Sequence, residues 1–216
     1  MNVSASKENI LKKIRKALTQ STPLPFPGSE GSSSVFQPSK QELEIEFGEQ
    51  FSKLQGKFIY CSDQQELESG LQALIAHNKW EKIYFVLEEM EPSLPESFLQ
   101  RPPFTDLAGC DAAITGCEAL VARTGSIVLS SGQASGRTTS VYAPIHICIA
   151  FTDQLVYDIR EALQGLKEKY GANIPSLISF ATGPSRTADI EKTLVVGVHG
   201  PREVYLFLVE RNAPAS

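Results

Sequence analysis

Residues 57–87 read KFIYCSDQQELESGLQALIAHNKWEKIYFVL. Lys57–Cys61 is a short apolar and aromatic run with strand character. Ser62 and Gln65 form a capping-box pattern, with Ser62 as N-cap and Gln65 three residues on. Leu67, Leu71, Leu74 and Ile75 then share one face at helical spacing. A second apolar run, residues 83–87, closes a strand–helix–strand unit. A helix of about four turns between two strands predicts a right-handed parallel crossover.

The pattern continues on both sides. Upstream, Leu43, Phe47, Phe51 and Leu54 make a helical stripe that stops near Gly56. Downstream, Pro92, Pro95, Pro102 and Pro103 predict a loop with one short helix. Ala112–Thr115 and Ser126–Ser130 read as strands, and Gly132, Ser135 and Gly136 mark a loop or hairpin after them. In Ile145–Phe151, Ile145, Ile147, Ile149 and Phe151 face one way and His146, Cys148 and Ala150 the other. Both faces are apolar enough to be covered, which predicts a central strand. Leu155, Ile159, Leu163 and Leu166 define a further helix ending at Tyr170-Gly171. Residues 176–181, 194–196 and 204–209 complete the strands. The fold class is α/β: a mixed, mainly parallel sheet flanked by helices, with an N-terminal helical extension.

That extension, residues 1–40, differs in composition from the domain at 41–216. Ile10, Ile14 and Leu18 form one face of a helix over residues 7–18, with Ser6 as a candidate cap. The helix could dock on its own domain or reach a second subunit. Residues 19–39 are rich in Pro, Ser and Gly and read as a linker.

The chain has 216 residues, 42% of them hydrophobic, and a formal net charge of −5. This length suits one sizeable core. The acidic balance, without a long basic run, argues against nucleic acid as the main partner. Apolar runs such as residues 204–209 fall far short of the ~20 residues of a membrane helix. Basic residues from Lys7 to Lys16 interrupt any secretory h-region, although a basic amphipathic stretch also suits a mitochondrial-type presequence. A cytoplasmic protein is the expectation. Cys61, Cys110, Cys117 and Cys148 lack CxxC spacing, so they signal neither zinc nor an iron–sulfur cluster and read as free buried thiols.

Polar chemistry concentrates in residues 182–189. Gly183 permits close backbone approach and Pro184 fixes the turn. Ser185 and Thr187 offer hydroxyls, Arg186 a guanidinium and Asp189 a carboxylate. A helix continuing through residues 190–192 would point N–H groups near residues 185–188 at an anion. Alternatively, Arg186 simply pairs with Asp189. A second loop, Gly197-Val198-His199-Gly200-Pro201, offers His199 as a general acid or base. Glu118, with Thr124-Gly125-Ser126, could face the same crevice, or Glu118 could pair locally with Arg123. Arg137 lies in a Gly/Ser loop, and His146 reads as a satisfied core histidine. The motifs GxSxG, HExxH, Walker A and GxGxxG are absent from the sequence.

The two C-terminal loops resemble the signature of LUD-domain proteins, the lactate-utilisation protein C group. Glu118-Ala119, Thr124-Gly125-Ser126-Ile127-Val128-Leu129, Arg137, Pro144 and His146-Ile147 fall in the matching order, so the resemblance spans roughly residues 41–210. The run from Cys117 to Arg123 departs from the more regular Ala-Ile-Ala-Glu type. The resemblance implies a sheet like that of the sugar-phosphate isomerase and CoA-transferase superfamily. It also implies a part in oxidising L-lactate to pyruvate with two iron–sulfur partner proteins, this chain being the component without a cluster. Glu118 and His199 are then candidate catalytic residues. Thr124, Gly125, Arg137, Gly183, Ser185, Arg186, Thr187 and Asp189 are candidates for binding a small anionic ligand. A stand-alone enzyme or sensor acting on a phosphorylated or CoA-linked small acid is the alternative.

Overall fold

The computed structural model describes residues 8, 9, 12, 13, 15, 16, 39, 41–100, 102–188 and 194–211. The chain divides into two units, Met1–Pro38 and Ser39–Ser216. In the first, the described residues Glu8, Asn9, Lys12, Lys13, Arg15 and Lys16 are helical and exposed. Ile10, Ile14, Leu18 and nearly all of the expected linker lie outside the described residues.

The second unit begins with α1 (Leu43–Lys53), β1 (Lys57–Cys61), α2 (Gln64–Asn78) and β2 (Ile83–Tyr84). Two one-turn helices follow, α3 (Leu87–Met90) and α4 (Glu96–Leu99). Next come β3 (Ala112–Thr115), β4 (Ala119–Val121), β5 (Ser126–Ser130), α5 (Thr139–Tyr142), β6 (Ile145–Phe151), β7 (Leu155–Val156) and α6 (Ile159–Tyr170). The chain ends with β8 (Ile178–Ala181), β9 (Arg186–Ala188), β10 (Leu194–Val196) and β11 (Glu203–Val209).

The main sheet runs β1-β11-β6-β3-β2, and all its pairs are parallel. β6 lies at its centre with all seven residues buried, as its two apolar faces require. β1 and β2 are parallel but occupy opposite edges, so the crossover through α2 spans the sheet instead of joining neighbours. A second sheet, β7-β4-β5-β8, is mixed, with β4-β5 and β5-β8 antiparallel and β4-β7 parallel, and β9-β10 forms a separate antiparallel pair. The mixed character expected of a single sheet is thus divided between a parallel sheet, a mixed sheet and the β9-β10 pair.

Strand alternation assigns the faces. Ile145, Ile147, Ile149 and Phe207 pack with Leu67, Leu71 and Ile75 of α2. Cys148, Ala150, Leu206 and Leu208 pack with Phe47 and Phe51 of α1 and with Leu120, Ile127 and Leu129 of the second sheet. The far face of that sheet, Val121 and Val128, packs on Ala162 and Leu166 of α6. The layers are therefore helix, parallel sheet, mixed sheet, helix.

Two local expectations shift. The N-cap of α2 is Asp63, whose carboxylate accepts from Gln65 N and Glu66 N at 2.8 Å; Ser62 instead donates its N–H to Glu66. The run 83–87 forms only a two-residue strand, because the chain turns into α3 at Leu87.

Candidate functional site

The carboxyl ends of parallel strands are where open α/β sheets usually bind ligands. Here β3 ends at Thr115, β6 at Phe151 and β11 at Val209, and a cleft of about 470 Å³ opens beyond them. Gly116, Cys117, Phe151, Gln154 and Arg211 contribute the strand-end wall. Glu89, Gln133, Lys169 and Tyr170 close the other sides.

Glu118, just before β4, anchors this region. Its side chain is 2% exposed. Oε1 accepts from Ser130 Oγ at 2.6 Å and Tyr170 OH at 2.7 Å. Oε2 meets Lys169 Nζ at 2.7 Å. Burial opposes ionisation of Glu118, but the bonds from Lys169, Ser130 and Tyr170 outweigh it and hold the carboxyl below its ordinary value. Burial likewise works against the Lys169 ammonium, and the Glu118 bond overcomes it, raising the lysine. Gly132 makes the Tyr170 contact feasible: a Cβ there would lie 2.6 Å from the Tyr170 hydroxyl.

Glu89, carried by α3, is held by donors from two loops. Oε1 accepts from Gly116 N at 3.0 Å and Gln133 Nε2 at 3.2 Å, and Oε2 from Ser135 N at 2.6 Å. Gln133 in turn accepts from Ser130 N at 3.0 Å, linking this cluster to Glu118. Arg211 stacks on Phe151 at 4.2 Å and pairs with Asp153 at 2.8 Å. The cleft therefore combines two exposed cations with one carboxylate, Glu89, held by three donors.

Most of the residues singled out from sequence lie elsewhere. β5 runs from Ser126, beside Thr124 and Gly125, to Ser130, beside Glu118; at the usual rise that separates the two ends by about 13 Å. Glu118 therefore does not share a crevice with the Thr-Gly turn. Nor does it pair with Arg123, which bonds Asp158 at 2.7 Å. Thr124 Oγ1 bonds Ser126 Oγ at 2.6 Å, and Gly125 packs against α1. Arg137 is exposed and donates to Ser176 Oγ.

The two C-terminal loops do meet. Ser185 N donates to Pro201 O at 2.9 Å, and Gly197 N donates to Ser185 O at 3.0 Å. No helix begins at residues 185–188, however. Arg186, Thr187 and Ala188 form β9, paired antiparallel with β10, so its N–H groups serve a hairpin and not a helical anion site. Arg186 donates to the Leu54 carbonyl at the end of α1, and Gly183 lies against the same carbonyl. Asp189 lies outside the described residues. His199 is exposed beside Val141, Tyr142 and Pro144 in a second concavity of about 460 Å³. That concavity lies at the amino ends of β6 and β11, the opposite edge of the sheet from the cleft.

His146 is the core histidine expected. Thr115 Oγ1 donates to Gly116 O at 2.9 Å, so Nε2 of His146, 2.8 Å away, carries the proton toward it. Burial pushes this histidine down to about 4. The four cysteines are free and buried. Among the described residues, no group of three or more His, Cys, Asp or Glu side chains converges to hold a metal. No described helix is long and apolar enough to cross a membrane.

A model of the LUD domain matches residues 100–209, more than half of the chain. The chain belongs to the LUD domain family. Lactate utilization protein C of Geobacillus thermodenitrificans is 33% identical over 159 residues, covering 72% of this chain and 64% of that protein. The Halalkalibacterium halodurans protein of the same name is 39% identical over 104 residues, 47% of this chain and 45% of its own. An uncharacterized Neisseria meningitidis protein is 36% identical over 100 residues, 46% of this chain and 42% of that one. These matches span less than two thirds of the relatives' lengths. The crystal structure of a DUF162 family protein from Deinococcus radiodurans superposes with a TM-score of 0.58 at 22% identity, covering 80% of this chain and 99% of that chain. The LUD chain described here thus shares its fold with that protein.

Glu89, Gln133, Lys169, Tyr170 and Arg211 had no local sequence signal. Each is an ordinary polar residue of a helix or chain turn, and only the sheet ends bring them together.

Proposed function

We propose that this LUD protein is the component without iron–sulfur of a lactate-utilisation complex that oxidises L-lactate to pyruvate. In this reading it binds a small carboxylate in the cleft at the carboxyl edge of the sheet. The names of its relatives support the process. The carrying observation for the site is the buried Glu118 carboxylate bonded to Lys169 on the cleft wall.

Lys169 Nζ has donor capacity beyond the bond to Glu118, and Arg211 keeps the donors not spent on Asp153. Both face a concavity in which a carboxylate finds charge-assisted hydrogen bonds. Glu118 is buried and held by three donors, which suits it to positioning Lys169 rather than to moving protons. The electron-transfer steps belong to iron–sulfur partner proteins.

Titration calorimetry with L-lactate tests the binding reading. The wild-type chain binds, and Lys169→Ala weakens binding about tenfold or more. Equal affinity in both proteins contradicts the site. Co-purification with a tagged chain from cells grown on lactate tests the partner reading. Iron-containing proteins are expected in the eluate, and their absence contradicts the complex. Turnover of a phosphorylated or CoA-linked acid by the isolated chain would instead establish a stand-alone enzyme.

A further inference from the structure

Resting on that cleft reading, we infer that Glu89 sets its specificity, accepting the hydroxyl of a 2-hydroxy carboxylate and rejecting the corresponding 2-oxo acid. The argument starts from acceptor capacity. A carboxylate offers about four acceptor positions. Three of those on Glu89 are taken, by Gly116 N, Gln133 Nε2 and Ser135 N. One remains, on Oε2, in a residue that lines the same cleft as Lys169 and Arg211.

The anchoring donors come from the β3–β4 turn and from the 131–138 loop, so the free position is fixed in space before any ligand arrives. None of the ion pairs among the described residues involves Glu89, so its negative charge is not already neutralised by a bonded cation. Such a group recognises an O–H donor. A hydroxyl beside the ligand's carboxylate completes its fourth hydrogen bond. A keto oxygen in the same place brings only lone pairs, repels the carboxylate and leaves it unsatisfied. Sites built around a polar group reject analogues that cannot pair with it. The two cations of the cleft, Lys169 and Arg211, hold the ligand's own carboxylate, and the two contacts together read a 2-hydroxy acid.

The test is calorimetric titration with L-lactate, pyruvate and propionate. Propionate has the carboxylate but neither oxygen at C2. The wild-type chain should bind L-lactate about tenfold or more tightly than pyruvate, with propionate between them. In Glu89→Gln the lactate-to-pyruvate ratio should fall to about one while propionate affinity stays near wild type, because Lys169 and Arg211 are intact. If Glu89→Gln does not fold, Glu89→Asp retracts the charge by one methylene and should lower the same ratio. Equal binding of all three acids by the wild type, still weakened by Lys169→Ala, overturns the Glu89 assignment alone. So does a ratio that survives Glu89 replacement. Failure of the wild type to bind any of the three overturns the cleft reading and this inference with it.

Discussion

The Glu118 carboxylate and the Lys169 ammonium meet at 2.7 Å across 51 residues of sequence, one side chain 2% exposed and the other 61%. The buried end fixes the exposed one. Removing the charge at Glu118 should therefore act on both stability and binding. Glu118→Gln keeps the volume and an acceptor for Ser130 and Tyr170 but loses the charge-assisted bond to Lys169, at a cost of about 1.5–3 kcal/mol, and L-lactate affinity should fall as Lys169 is released. The pH dependence has a definite sign. The folded carboxyl lies below its unfolded value, so the stabilisation is complete above the ordinary glutamate range and is lost as pH falls through the lowered value. Urea unfolding of both proteins at descending pH checks this: the wild-type acid limb should be steeper than that of Glu118→Gln.

His146 adds a second, earlier window. It is buried and neutral, held down to about 4, whereas an unfolded histidine titrates near ~6.5. The unfolded chain therefore binds the extra proton first. Stability should decline between about pH 6.5 and 4, by on the order of 3 kcal/mol. His146→Leu removes that slope, and Thr115 still donates to Gly116 O. Unchanged slopes between the two proteins would count against a neutral buried imidazole.

Arg186 serves the end of α1. Its guanidinium donates to the Leu54 carbonyl, the kind of contact that satisfies a helix C-terminus. Because the residue is exposed, Arg186→Ala should cost only about 1 kcal/mol. L-lactate affinity should be unaffected. A large loss of affinity with an unshifted melting temperature would instead support the anion-binding role expected of this loop from sequence.

Gly125 is required by its backbone. It has φ +60°, and a Cβ would lie 2.4 Å from Phe51 N. The left-handed conformation alone costs a non-glycine residue about 1–2 kcal/mol, and α1 must also move. Gly125→Ala should lower the urea midpoint by more than that term predicts, without changing lactate affinity in the protein that remains folded.

Periodicity made the layers legible. Ile145–Phe151 was identifiable as central because alternate residues gave two apolar faces, and it is central. The α2 stripe of Leu67, Leu71 and Ile75 was equally plain. Short strands were not: Ala119–Val121 and Leu155–Val156 are too brief to establish a period, and they supply two of the four strands of the second sheet. Strand order was also invisible, since nothing in residues 57–87 says that β1 and β2 lie at opposite edges. Site residues suffered most from this. Glu118 stood out by chemistry and lies in the cleft region, but its partners Ser130, Lys169 and Tyr170 come from elements whose approach depends on the second sheet. The loops at 182–188 and 197–201 stood out by density of Gly, Ser and Arg. Those residues make a hairpin and its packing, at the other edge of the sheet.

The two edges make opposite demands on one experiment. L-lactate affinity is measured by calorimetry for Lys169→Ala, at the carboxyl-edge cleft, and for His199→Ala, at the amino-edge concavity, with circular dichroism to show that both are folded. The cleft assignment predicts a loss of about tenfold or more for Lys169→Ala and no change for His199→Ala. Loss of affinity in His199→Ala with wild-type binding in Lys169→Ala would contradict it.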